Sequence, residues 1–280
     1  MGLMGFPVEH SLSPVMHNAA IAVSDLQYIY IPYSVLPDDI GPAIRSLIPL
    51  GIVGVNLTIP HKERVLPFLD EISLEASAIG AVNTVVNRHG MLTGHNTDGV
   101  GFRNALIEFD YQVSGKHAIV LGAGGAARSI VYVLAAECAS VTVVNRSPER
   151  ARELVETIHR VLPGAVLNWL SFEDVDKLRE ALIRSEVVVN TTSVGMYPHV
   201  DVDAPINLEI ISSDSLVIDL IYNPVETRLL REARLRGAKT MNGLPMLVHQ
   251  GAESFRIWTG CEPSISEMYH AVRSANFAIK

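Results

Sequence analysis

The run AIVLGAGGAARSIVYVLAA, residues 118–136, constrains the fold more than any other stretch of this chain. Four apolar residues read as a buried strand, and the apolar segment after the glycines reads as a helix. Gly122 permits a tight turn between them, and Gly124 leaves no Cβ between the backbone and an approaching ligand. Ala123, Gly125 and Ala126 keep the rest of the turn small, and Ala127 allows close contact between helix and strand. The unpaired N–H groups that open such a helix suit a phosphate. A tight turn in a sheet that binds nothing shares this GxGxxA spacing, so the strand–turn–helix context carries the argument.

A second strand, SVTVV at residues 140–144, follows. In a unit that binds NAD, an acid about 20 residues beyond the glycines accepts the ribose hydroxyls. Here that place holds Asn145 and Arg146, with Ser147 next and Arg150 one helical turn on. A guanidinium grips phosphate through paired N–H bonds, so Arg146 and Arg150 suit a 2′-phosphate, and NADP is expected rather than NAD. Arg152 reads as an ordinary solvated helix residue.

From Lys116 onward, strands near 117–121, 140–144, 165–168, 186–190, 216–221 and 238–241 alternate with helices, the pattern of a doubly wound Rossmann sheet. The first third repeats the alternation, with strands near 2–6, 28–34, 52–58 and 82–87 and helices near 13–24, 37–49, 62–69 and 73–79. His89-Gly90 supplies the turn of a hairpin. Two helices at the end of the chain find no place in the second sheet and are expected to return to the first domain. The expected fold is therefore α/β with two domains: residues 1–98 plus 243–280 for substrate, and residues 99–242 for the dinucleotide.

Hydrophobic residues at 48% and charged residues at 19% fit a globular chain, and a net charge of −8 argues against nucleic acid or an anionic membrane as partner. A soluble cytoplasmic protein is expected, without a signal peptide or membrane span. Cys138 and Cys261 have neither disulfide nor metal spacing, no metal site is expected, and both read as buried apolar residues.

Polar residues interrupt the first domain where a core would not choose them. Ser11 and Ser13 precede a helix, and one of them is expected to cap it. Asn56 and Thr58 break an apolar strand that Pro60 ends, leaving Lys62 at the carboxyl end of the strand, where open α/β sheets bind ligands. Asn83 sits in another apolar strand, and Asn96 and Asp98 flank a glycine-rich bend, with Asp98 placed to cap a helix from Gly99. A lysine, an aspartate and neutral hydrogen bonders suit proton transfer coupled to hydride transfer.

Taken together, the blocks HSLSP, NLTIPHKE, GAVNT, NTDGVG, GAGGAAR, NRSPERA, NTTSVGM, DLIYNPVET and NGLPMLVHQGA resemble the shikimate dehydrogenase family, in its order and over nearly the whole chain. The resemblance implies NADPH-dependent reduction of 3-dehydroshikimate to shikimate in aromatic biosynthesis. It implies Lys62 and Asp98 as the catalytic pair, and Ser11, Ser13, Thr58, Asn83, Gln250 and Tyr222 as substrate contacts. The cofactor would meet Gly122 to Ala127, Asn145, Arg146, Ser147 and Arg150, with Gly243 and Met246 near the nicotinamide. Small-molecule substrate and cofactor are the implied partners, and a homodimer is an open option.

His61, Ser147 and Pro245 depart from the family's commonest residues, Phe, Thr and Gly. None is part of the catalytic pair, though Pro245 stiffens the entry to the last helices. Alternatives are a dual quinate/shikimate dehydrogenase using NAD, a folate-pathway dehydrogenase lacking the HSLSP and NTDG pairing, and a catalytically silent NADP-binding sensor. The missing acid disfavours the first, and intact Lys62 and Asp98 disfavour the last.

Overall fold

A computed structural model describes residues 1–202 and 206–278. It divides into two compact units, residues 1–102 with 247–280, and residues 103–246.

Unit 1 begins β1 (Gly2–Gly5), α1 (Ser13–Val23), β2 (Ile31–Ser34), α2 (Ile40–Arg45), β3 (Gly54–Leu57) and α3 (His61–Arg64). It continues β4 (Glu71–Ile72), α4 (Leu74–Ile79), β5 (Thr84–Arg88), β6 (Met91–His95) and the first turn of α5 (Asp98–Glu108), a helix whose residues from Arg103 belong to unit 2. The strands form one sheet in the order β2-β1-β3-β5-β6-β4. β1 runs parallel to β2 and β3, whereas β5 is antiparallel to β3 and β6. The hairpin between β5 and β6 turns on His89 (φ 54°) and Gly90 (φ 86°), the two positive-φ positions that its tight turn requires.

Several expected elements are shorter. The strand expected over 28–34 starts only at Ile31. The helix expected over 62–69 stops at Arg64, and a 3₁₀ turn at Leu66–Phe68 carries Pro67, which has no N–H to continue an α-helix. The helix expected over 37–49 shortens to a 3₁₀ turn and α2, which carries Gly41 and Pro42. Neither serine caps α1: its N-cap is Leu12, and Ser11 Oγ instead accepts the Ser13 N–H at 3.3 Å.

Unit 2 is built from β7 (His117–Leu121), α6 (Gly125–Glu137), β8 (Ser140–Asn145), α7 (Pro148–Val161), β9 (Leu167–Ser171) and α8 (Val175–Arg184). β10 (Val187–Asn190), β11 (Leu216–Asp219), α9 (Arg228–Leu235) and β12 (Lys239–Met241) complete it. All six strands are parallel, in the order β12-β11-β10-β7-β8-β9, the doubly wound arrangement. Both faces of such a sheet are covered, which is why β10 and β11 are buried at every residue. Helix α6 buries Ala127, Ile130, Val131 and Leu134 at helical spacing, and Arg128, Ser129, Val133 and Ala135 beside them, so it is covered nearly all round.

The last helices are α10 (Leu244–Thr259) and α11 (Ile265–Ala278). From Leu247 they belong to unit 1, where α11 packs against α1. Trp258 Nε1 donates to the Val85 carbonyl of β5 at 3.0 Å, over Gly54, where a Cβ would collide with the indole. The core of the sheet gathers Met4, Ile44, Val55, Leu57, Val82, Val85 and Leu92. Against expectation, Cys261 is exposed in the α10–α11 connection and Cys138 is half-buried, its thiol pushed up to about 12 by burial.

Candidate active site

In unit 1 the turn after β3 brings Lys62 to Asp98. Thr58 N–H donates to the Met4 carbonyl of β1 at 2.9 Å, and the Thr58 carbonyl accepts the His61 N–H at 2.8 Å. The Lys62 carbonyl then accepts the Val82 N–H at 2.8 Å, which ties α3 to the start of β5. These bonds point the Lys62 side chain at Asp98, and the two form an ion pair.

Asp98 does not cap α5 with its side chain. It is the first residue of that helix, its N–H is taken by Asn96 Oδ1 at 3.1 Å, and its carboxylate turns inward. Oδ2 meets Lys62 Nζ, and Oδ1 accepts Asn83 Nδ2 at 2.8 Å. Asn83 also faces Thr97 Oγ1 at 2.9 Å and Gln250 Oε1 at 3.3 Å. Lys62, Asp98, Asn83 and Gln250 thus form one contact set, from α3, α5, the residue before β5, and α10.

Ser11 and Ser13 form a pair of their own at the start of α1, with no hydrogen bond to Lys62 among the described residues. Thr58 is half-buried just after β3, its methyl against Gly5 of β1. Tyr222 belongs to unit 2, half-buried after β11.

Unit 2 offers the dinucleotide cradle. Gly122 has φ 108°, and a Cβ there would sit 2.5 Å from Thr191 Oγ1. A Cβ on Gly124 would meet nothing within 4 Å, so open space lies over the turn. Gly124 is the N-cap of α6 and offers no side chain, which leaves the first N–H groups of the helix for an anion. Ala123 and Ala127 are buried, while Gly125 and Ala126 are half-buried. At the end of β8, Asn145 Nδ2 donates to the Ser147 carbonyl at 3.0 Å and shapes the bend. Arg146 is exposed and makes no ion pair with a described residue, Ser147 is the N-cap of α7 without a capping bond, and Arg150 is exposed in the first turn. These groups suit a dinucleotide carrying a 2′-phosphate. Gly243 lies where a Cβ would collide with the Leu220 carbonyl, and Met246 is buried in α10.

Family models cover most of the chain. The shikimate dehydrogenase substrate binding domain matches residues 3–85, the shikimate/quinate 5-dehydrogenase model residues 103–220, and the shikimate 5′-dehydrogenase C-terminal domain residues 243–273. The shikimate dehydrogenase (NADP(+)) of Methanocaldococcus jannaschii is 44% identical over 272 residues, covering 97% of this chain and 95% of its own. The chain belongs to the shikimate dehydrogenase family. A crystal structure of a shikimate dehydrogenase in complex with NADP+ superposes with a TM-score of 0.91 at 44% identity, covering 98% of this chain and 94% of that one. Quinate dehydrogenase from Corynebacterium glutamicum, in complex with NAD, superposes at 0.88 with 31% identity, covering 98% of each chain.

Family membership leaves several polar groups that sequence reasoning passed over. Thr84, Thr97 and Ser254 are buried around Asn83, and Asp219 is buried with Asn190 and Thr227 in unit 2. A usable signal existed for Ser254, a small polar residue four places after Gln250 on one helix face. Asp219 has its carboxyl pushed up to about 6 by burial, against the pull of hydrogen bonds from Thr227, Ile221 and Asn190. Among the described residues, no three His, Cys, Asp or Glu side chains are grouped to hold a metal, and no helix is long and apolar enough to cross a membrane.

Proposed function

We propose that this protein catalyses the reversible, NADPH-dependent reduction of 3-dehydroshikimate to shikimate, with Lys62 and Asp98 as its acid–base pair. The carrying observation is the ion pair itself: an ammonium 16% exposed against a carboxylate 4% exposed, in a chain with this family membership. The bound dinucleotide supplies the hydride for the C3 ketone. Lys62 Nζ gives a proton to the forming alkoxide oxygen, and its charge stabilises that oxygen before the proton moves. Asp98 orients Lys62; each of its oxygens has a second lone pair, so it also accepts a hydrogen bond from a substrate hydroxyl. Ser11 and Ser13 hold the substrate carboxylate, and Thr58, Asn83, Gln250 and Tyr222 make further substrate contacts.

In the same reading, residues 1–98 with 243–280 bind substrate, and residues 99–242 bind the dinucleotide. Gly122 to Ala127 cradle the pyrophosphate, Arg146 and Arg150 clamp the 2′-phosphate with Asn145 and Ser147, and Gly243 and Met246 lie near the nicotinamide. The protein works in the cytoplasm on small molecules, alone or as a homodimer, which light scattering distinguishes. A spectrophotometric assay of shikimate and quinate, each with NADP and NAD, tests the whole reading. Turnover confined to shikimate with NADP is expected; faster turnover of quinate with NAD would replace it with the quinate reading.

A further inference from the structure

Behind the Lys62–Asp98 pair lies a set of polar groups removed from solvent. Thr84 and Ser254 are 0% exposed, Asn83 1% and Asn56 4%. Buried polar groups cost stability unless each finds a partner, and here the partners form an ordered series. The Tyr30 hydroxyl donates to Asn56 Oδ1 at 2.8 Å, which turns the Asn56 amide nitrogen inward. Asn56 Nδ2 then donates to Ser254 Oγ at 2.9 Å and Thr84 Oγ1 at 3.1 Å. The Thr84 hydroxyl, acting as acceptor there, donates to Asn83 Oδ1 at 2.9 Å. Asn83 Nδ2 donates in turn to Asp98 Oδ1 at 2.8 Å. From Tyr30 through Asn56, Thr84 and Asn83 each donor points toward the carboxylate, while Ser254 Oγ donates to the Gln250 carbonyl at 3.0 Å. Hydrogen bonds aligned in series strengthen one another.

Two fixed groups determine which way the Asn83 amide faces. Its Oδ1 meets the Thr97 N–H at 2.8 Å, which only donates, and its Nδ2 meets a carboxylate, which only accepts. Thr84 Oγ1 donates to the same oxygen at 2.9 Å, closer than the Thr97 hydroxyl at 3.2 Å. Ser254 stands 2.8 Å behind Thr84, and its helix carries Gln250, whose Oε1 faces Asn83. We propose that Thr84, backed by Ser254, is a positioning residue for the Lys62–Asp98 pair, acting through Asn83 without touching substrate. This rests on the acid–base reading of that pair.

The test compares Thr84→Val, which keeps the side-chain shape and removes the hydroxyl, with Thr84→Ser, which keeps the hydroxyl. Thr84→Val should lower kcat about tenfold, with the KM for shikimate within about twofold of the parent, because the lost hydrogen bond acts on the pair rather than on ligand affinity. Thr84→Ser should restore kcat to within about twofold. Equal kcat in the two variants, or a change confined to KM, overturns the proposal.

A double variant separates positioning from general damage. Adding Thr84→Val to Asp98→Asn should cost no more than about twofold beyond Asp98→Asn alone, since residues acting as one unit are not additive. A full multiplicative loss overturns the positioning role while leaving the acid–base reading intact. Parental activity in Asp98→Asn alone overturns that reading, and the proposal with it. Should Thr84→Val fail to fold, Ser254→Ala takes its place: a threefold or larger fall in kcat at constant KM is expected, and an unchanged kcat overturns the proposal.

Discussion

Lys62 and Asp98 are 36 residues apart in the chain and form an ion pair that is anchored at the acidic end. Asp98 is held by Asn83 and sits on the first turn of α5, whereas Lys62 extends from the short helix α3. Replacing Lys62 with Ala removes the proton donor and leaves the substrate contacts in place. Steady-state kinetics should show kcat reduced by about 100-fold or more with little change in the KM for shikimate. A near-normal kcat would refute the assigned role.

Arg146 should decide between the two dinucleotides. It stands exposed at the end of β8, where an acid would accept ribose hydroxyls. Arg146→Ala should raise the KM for NADPH about tenfold or more, the value of one lost charge-assisted contact, while the KM for NADH changes little. Equal changes for both would remove the phosphate clamp.

Gly122 combines φ 108° with a neighbour only 2.5 Å from where a Cβ would stand. In Gly122→Ala the strain should cost about 1–3 kcal/mol and lower the melting temperature by several degrees. Titration with NADP should show weakened binding as the turn shifts. An unchanged melting temperature and affinity would show that the turn tolerates a side chain.

His17 predicts acid sensitivity in unit 1. It is fully buried, stacked on Tyr30 at 4.2 Å, and burial pushes its imidazole down to about 3 from 6.5. Above pH 6.5 both folded and unfolded chains carry it neutral, so its titration contributes nothing to stability there. As pH falls from 6.5 toward 3 the unfolded chain takes up the proton first, and stability falls by on the order of 5 kcal/mol across that window. Circular dichroism against pH should show His17→Phe unfolding at lower pH than the parent. An unchanged acid midpoint would assign the acid sensitivity elsewhere.

Asp219 in unit 2 has the opposite sign. Its carboxyl is raised to about 6 from 3.8, so the folded chain takes up this proton before the unfolded one as pH falls. This contribution is present below pH 3.8 and is lost as pH rises through 6. Hydrogen exchange at β10 and β11 should therefore slow between pH 7 and pH 4 once corrected for intrinsic rates. A flat profile across that range would show that Asp219 does not titrate there.

Local order made much of unit 2 legible. The apolar run of β7, the glycine turn and the spacing of Ala127, Ile130, Val131 and Leu134 lie within a few residues of one another, and adjacent side chains dictate the geometry. The same locality exposed Arg146, because a charge at a strand end can be read without knowing its neighbours in space. The His89-Gly90 hairpin was legible for the same reason.

The contacts around Asp98 were not local. Its residue type and glycine-rich setting read equally well as a helix cap, and only the fold brings Lys62 and Asn83 to it from 36 and 15 positions away, and Gln250 to Asn83 from 167. Thr84 and Ser254 are separated by 170 residues and meet because α10 lies on the sheet through Trp258 and Gly54. By itself the sequence determined the periodicities, the glycine turn, the charge at the end of β8 and the likeness to a family. The tertiary structure alone decided which polar side chains share a buried space, since that choice depends on backbone hydrogen bonding across the sheet and on which partners remain once water is excluded.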